Sequence, residues 1–204
     1  MKKISLLCFV LLCLPLGAQQ NIISPSQSIR NSFAIFVDQA TYDACKEEIH
    51  AYRDVIEKDG LATYILYADW ESPEHVRFFL KKYYDEQGLE GAVFVGNIPV
   101  PMIRGAQHFT SAFKMDQDVC DYYDSSVPSD RFYDDFDLKF RFLHQDSTHH
   151  QLYYYWLAGD SPQRISCDIY TGRIRSTAKG EAGFAQIRNY LRKVVKERSV
   201  ENPL

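Results

Sequence analysis

The sequence predicts an α/β fold: about four parallel strands in one sheet flanked by helices, with an antiparallel β-hairpin inserted. Three observations carry that expectation. Short apolar runs alternate with helical patterns from Phe33 to Val95, which is the order of βαβ units. Those runs are apolar throughout rather than at every second position, as strands covered on both faces are. Beyond Asp137 the pattern changes to alternation, the mark of a strand with one wet face.

Taken in order, Phe33-Ala34-Ile35-Phe36-Val37 is the first strand, closed by Asp38. A helix capped by Thr41 or Asp43 is expected to run to about Lys58, with Ala44, Ile49, Tyr52, Val55 and Ile56 on its apolar face, until Asp59-Gly60 stops it. Leu61 to Tyr67 is the next strand. Ser72-Pro73-Glu74 then starts a helix with a serine cap and a proline in the first helical position. Its stripe is Val76, Phe79, Leu80 and Tyr83, and Gly88 ends it. Ala92 to Val95 is the third strand, running into Gly96-Asn97-Ile98-Pro99. Pro99 and Pro101 remove backbone donors and restrict the residues before them, so no helix can follow at once. Ligands in such sheets bind beyond the carboxyl ends of the strands, which puts this tip at the functional rim.

The hairpin comes next. Leu138, Phe140 and Phe142 alternate with Lys139 and Arg141, Gln145 to His149 is a polar turn, and Leu152 to Leu157 returns. Asp168 to Ile174 reads as the fourth sheet strand. A last helix, from about Lys179 to Arg198, carries Phe184, Ile187, Tyr190, Leu191, Val194 and Val195 as its stripe.

The two ends read differently from this body. Lys2-Lys3, the apolar run Ile4 to Leu16 and the small pair Gly17-Ala18 have the order of a secretory signal peptide over residues 1–18, cleaved near Ala18. The apolar part is short for a membrane span, so no membrane association is expected after cleavage. Residues 19–32 are polar and Ser-rich, a flexible lead-in; 33–198 form the domain and 199–204 a tail or truncated linker. The exported chain is acidic: losing Lys2 and Lys3 takes the formal net charge from −4 to −6. That disfavours nucleic acid, whose phosphates call for basic clusters. Cys45, Cys120 and Cys167 remain, an odd number that excludes a disulfide scaffold and offers no Cys-x-x-Cys metal site.

Chemistry is sparse. A catalytic thiolate needs a histidine beside it. Cys120 instead lies among Asp116, Asp118, Asp121 and Asp124, and Cys167 falls at the start of a strand. No catalytic residue is assigned. His144, His149 and His150 sit at a predicted turn, where zinc would lack converging ligands. Eight aspartates between Asp116 and Asp137 are interleaved with Tyr122, Tyr123, Phe132 and Tyr133. Hard oxygens suit calcium, yet the EF-hand glycine and glutamate are missing, and turn-forming aspartates account for the cluster at least as well. Asp130, Tyr133 and Arg173 are the candidate binding residues: Ser-Asp before two aromatics reads as an oriented side chain, and Arg173 is placed to pair with a carboxylate of that loop.

Gly96-Asn97-Ile98-Pro99, Ser129-Asp130-Arg131-Phe132-Tyr133 and Asp168-Ile169-Tyr170-Thr171-Gly172-Arg173, with Glu181 opening a helix, together resemble the first half of a gingipain-type cysteine peptidase domain. That family has Gly-Asp-x-x-Pro, Ser/Thr-Asp-x-Tyr-Tyr and Asp-Ile-x-x-Gly-Arg in the same order. The likeness spans roughly residues 60–198, with Asn97 and Phe132 as departures. It implies a caspase-like first subdomain, with the histidine base and cysteine nucleophile in a second subdomain that follows. The partner expected is then that second subdomain or a downstream chain. A non-catalytic relative binding a protein or peptide through the Asp/Tyr loop is the alternative, and no cofactor is called for.

Overall fold

The computed structural model describes residues 20–27, 31–105 and 119–200. The predicted signal peptide, Asp116, Asp118 and the last four residues of the tail lie outside the described residues.

In chain order the elements are β1 (Asn21–Ile23), β2 (Ser32–Asp38), α1 (Gln39–Lys58), β3 (Ala62–Ala68), α2 (Pro73–Gln87), β4 (Leu89–Val95), β5 (Val100–Arg104), α3 (Tyr122–Ser125), β6 (Val127–Pro128), α4 (Arg131–Asp134), β7 (Phe140–Gln145), β8 (Leu152–Leu157), β9 (Tyr170–Ile174) and α5 (Gly180–Ser199). They build a mixed α/β fold on two sheets. The first has five strands in the order β1-β3-β2-β4-β9. β3, β2, β4 and β9 run parallel, and β1 lies antiparallel on β3. The second has the order β6-β5-β8-β7, with β5 parallel to β8 and its other pairs antiparallel.

Both faces of the first sheet are covered, as continuously apolar strands require. Successive side chains of a strand point to opposite faces. Ala34 and Phe36 accordingly enter one core with α2 and the second sheet, whereas Phe33, Ile35 and Val37 enter another with α1 and α5. The helix ends follow local chemistry. Ser72 accepts from the His75 N–H at 3.3 Å and Pro73 stands in the first turn, while Gly88 closes α2 in the left-handed region at φ 62°.

Several expectations need correction. The lead-in is not flexible throughout: Asn21–Ile23 pairs with Tyr67–Ile65, and the buried Glu57 carboxylate receives the Ser26 N–H at 3.0 Å. The sheet has five strands rather than about four. The hairpin β7–β8 belongs to a four-stranded sheet with β5 and β6, and its first strand starts at Phe140 rather than Leu138. The cap of α1 is neither Thr41 nor Asp43, because β2 runs into the helix without a loop. Asp38 is the cap, accepting from the Thr41 N–H at 3.0 Å. The strand read from Asp168 begins at Tyr170, since the Asp168 and Ile169 amides turn to the Asp134 carbonyl at 2.8 and 3.4 Å.

Candidate functional site

The tips of β2 and β4 meet where the sheet reverses its order. From β2 the chain first adds β3 on one side, then crosses to add β4 on the other. Such a switch point opens a crevice, and a cleft of about 870 Å³ lies there, lined by Asp38, Thr41, Gly96, Asn97, Gln151 and Lys179 among others. Asp38 joins the two tips: one carboxylate oxygen caps α1 and the other accepts the Asn97 N–H at 2.6 Å. Gly96 is obligatory. Its φ is +82°, and a Cβ would collide with the Asp38 carboxylate and the Thr41 hydroxyl.

Beyond Asn97 the chain has a hydrogen-bonding problem. The carbonyls of Ile98 and Pro99 leave the sheet, and Pro99 brings no N–H of its own. Arg173 answers it from the adjacent strand β9. Its Nη1 donates to Ile98 O at 3.2 Å and its Nη2 to Pro99 O at 3.0 Å. The same guanidinium grips Asp130, with Nε 2.9 Å from both carboxylate oxygens and Nη2 2.8 Å from Oδ1. The Tyr133 O–H donates to Pro99 O at 2.9 Å. Arg173 also lies over the rings of Phe94 and Tyr133, 5.1 and 5.7 Å from their centroids. The structure therefore brings Asp130, Tyr133 and Arg173 together, around the loop that leaves β4. Tyr133 is fully buried, and that burial pushes its hydroxyl pKa well up.

The neighbouring aspartates point inward as well. Asp134 and Asp135 are 0% and 1% exposed. Asp134 Oδ2 accepts from the Thr171 hydroxyl at 2.8 Å and lies 3.1 Å from the Arg131 guanidinium. Burial nonetheless raises its carboxyl to about 6, and Asp130 and Asp135 add to the rise. One oxygen of each of these two carboxylates has no hydrogen-bond partner. Asp135 Oδ2 takes the Ser166 N–H at 2.7 Å, and Asp168 Oδ2 takes the Phe136 N–H at 2.7 Å. These carboxylates sew the 130–138 loop to the segment before β9. No group of three or more His, Cys, Asp or Glu side chains arranged to hold a metal ion occurs among the described residues.

The remaining candidates lie apart from this cluster. Cys45 is buried under α5, donating to Phe184 O at 3.7 Å, and burial pushes its thiol up. Cys167 is exposed against the Arg131 guanidinium. Asp146 builds the turn at its histidines, accepting the Thr148 and His149 amides at 2.8 and 2.7 Å, which hold its carboxyl below the usual range. His144 meets the Tyr123 hydroxyl at 2.9 Å.

Sequence reasoning missed Asp38, which reads only as the end of a strand. The signal was an acidic residue between an apolar run and a helix with no spacer. Set against models of known families, curated proteins and solved structures, the chain matches none.

Proposed function

We propose that this chain is the exported, non-catalytic first subdomain of a gingipain-like cysteine peptidase of caspase-like fold, a scaffold on which a catalytic second half is completed. One observation carries the reading. The three stretches behind the family resemblance, far apart in sequence, converge on a single guanidinium: Arg173 binds Asp130 and the carbonyls of Ile98 and Pro99. Residue pairs that must meet across about 75 positions account for why those motifs occur as an ordered set.

On this reading Asp130, Tyr133 and Arg173 are positioning residues. They fix the loop after β4 at the rim where a second half would present its thiolate and histidine. The cysteines of this chain have other surroundings: Cys45 is walled in by α1 and α5, and Cys167 faces an arginine. A ligand role for the Asp/Tyr loop draws less support, since Tyr133, Asp134 and Asp135 are turned into the protein.

The test is to read the coding DNA for about 150 codons beyond Leu204, one further domain's length. An apolar strand ending in His-Gly, followed by another ending in Cys, is the expected result. Coexpressing that segment with this chain should give thiol-dependent peptidase activity, and Arg173→Ala should reduce it. Absence of such a segment, or alkylator-sensitive turnover by this chain alone, overturns the reading.

A further inference from the structure

α2 packs on the second sheet through Val76, Phe79, Leu80 and Tyr83. The adjacent face of the helix carries Phe78, a large apolar side chain left 62% exposed. Between that face and the strands β7 and β8 lies a hollow of about 740 Å³, within the size range of small-molecule sites. Its floor is aromatic. Phe132, Phe140 and Tyr155 line it, the Phe132 ring centroid lying 4.9 Å from that of Phe140 and 4.6 Å from that of Tyr155. These rings belong to the core that α2 shares with the second sheet, whereas α5 packs with α1 in the core on the other face of the first sheet.

Arg77 stands over this floor, 5.2 and 5.5 Å from the centroids of Phe132 and Phe140. Part of its guanidinium is structural: Nη2 donates to Asp135 O and to Leu138 O, each at 2.9 Å. Nε and Nη1 have no hydrogen-bond partner among the described residues, and no carboxylate there forms an ion pair with this side chain. Burial lowers its pKa from the ordinary value, and the charges of Asp135, Asp168 and Glu74 offset that only in part. A charge taken out of water is ordinarily paired. This one lies against rings, which attract a cation without neutralising it. The acids along α2 are engaged elsewhere: Glu74 Oε2 takes the Tyr155 O–H at 2.8 Å, and both oxygens of Asp85 take Lys81.

We propose that this hollow binds an aryl monocarboxylate, its ring laid against Phe132, Phe140 and Tyr155 and its carboxylate on the Arg77 guanidinium. Tilted aromatic walls receive a further ring in offset or edge-on contact, and the guanidinium supplies a charge-assisted hydrogen bond. Charge limits the anion to a single negative group. Three cationic and three acidic side chains line the hollow and cancel, so a polyanion such as a phosphate ester would meet repulsion from the acids. A small aryl acid and the carboxyl end of a polypeptide that closes on an aromatic residue share this chemistry. The inference goes beyond the reading above and stands without it, since it uses neither the rim nor β9.

The experiment titrates phenylbutyrate, its amide and phenylbutylamine into the isotope-labelled full chain and follows the backbone amide resonances. The acid should give saturable shifts along α2 and β7. The amide should bind about tenfold more weakly, the scale of one hydrogen bond to a charged group, and the amine should not bind. Arg77→Gln should erase the preference for acid over amide. That variant also loses two loop contacts, so circular dichroism checks its fold and Glu74→Gln serves independently. Glutamine there removes a charge of the ligand's sign yet still accepts from Tyr155, so it should tighten the acid and leave the amide unchanged. A short peptide ending in phenylalanine, its carboxyl end free or amidated, separates the two sources. Binding of the free-ended form alone assigns a polypeptide end, and exclusion of both forms assigns a small molecule. Equal affinity for acid and amide, in the small probes or in the peptides, overturns the proposal. Shifts that do not saturate overturn it too, as does a dimer that buries α2 and β7 without ligand.

Discussion

Two neighbouring parts of one strand are built in opposite ways. On one face of β9, Arg173 spends its donors on Asp130, Ile98 O and Pro99 O, and almost every polar group nearby has a partner. On the outer edge and the other face, Gly172 has open space above it, and Tyr170 and Tyr190 are about half exposed. The first arrangement fixes a loop at one geometry. The second is packed more sparsely, with the Tyr170 ring over Gly91 and beside Phe33 as its main contact. Over-determination marks where position matters internally, and sparse contact marks where a change costs the fold little.

The sharpest way to break the tied side is Arg173→Ala. It leaves Asp130 without its cation and strips two carbonyls of their donors. Breaking a partly buried pair of this kind should cost about 3 kcal/mol, the low end of the fully buried range. Urea unfolding measures it. Arg173→Lys should recover little, because an ammonium cannot bridge a carboxylate and two carbonyls as a planar fork does. Full recovery by lysine would mean that charge alone matters here.

Next in size is the flaw in the tie, Asp134. Its carboxyl sits at about 6 in the folded chain against an ordinary value of 3.8, chiefly because it is buried. The folded state therefore holds this proton more tightly than the unfolded one. The stability this confers is complete below pH 4, falls as pH rises through 6 and is absent above. The loss is about 3 kcal/mol across that window, from the pKa difference alone. Unfolding measured at pH 4, 5, 6 and 7 should show that slope, and Asp134→Asn should flatten it. An unchanged slope in the variant would assign the pH dependence to other carboxyls.

A smaller effect is expected at Tyr133→Phe. Only the O–H to Pro99 is lost, and Pro99 O keeps its bond to Arg173. One buried hydrogen bond removed, with its acceptor still served, should cost about 1 kcal/mol. A loss as large as that of Arg173→Ala would make the tyrosine, rather than the arginine, the centre of the tie.

How far this contrast could be read in the sequence depends on the range of the forces involved. The strands from Phe33, Leu61 and Ala92 were legible because burial on both faces writes a continuous apolar run. The ends of α2 were legible because Ser72, Pro73 and Gly88 act within a few residues. β1 was not, since three residues carry no periodicity and pair only through β3. β5 was hidden by Pro101, which argues against a strand, and its partner β8 lies about fifty residues on. Within the site, the residue types at 130, 133 and 173 pointed to an ion pair in the aspartate loop. That Arg173 would also serve Ile98 O and Pro99 O was invisible, because backbone carbonyls look alike in every sequence. Asp38 was missed for the related reason that its second oxygen bonds a backbone amide 59 positions away.

The smallest expected effect sharpens the comparison most. Tyr190→Ser and Arg175→Ala should leave stability within about 0.5 kcal/mol of the parent, as surface changes away from structural contacts do. Tyr190 is half exposed, and Arg175 joins no ion pair among the described residues, so each has little contact for the fold to lose. A stability cost near that of Tyr133→Phe would show that the edge is already packed against part of this chain. The contrast between a tied face and an open one would then fail. A null result in unfolding would keep the two sides distinct: the same strand holds its own loop on one side through Arg173 and carries few contacts on the other.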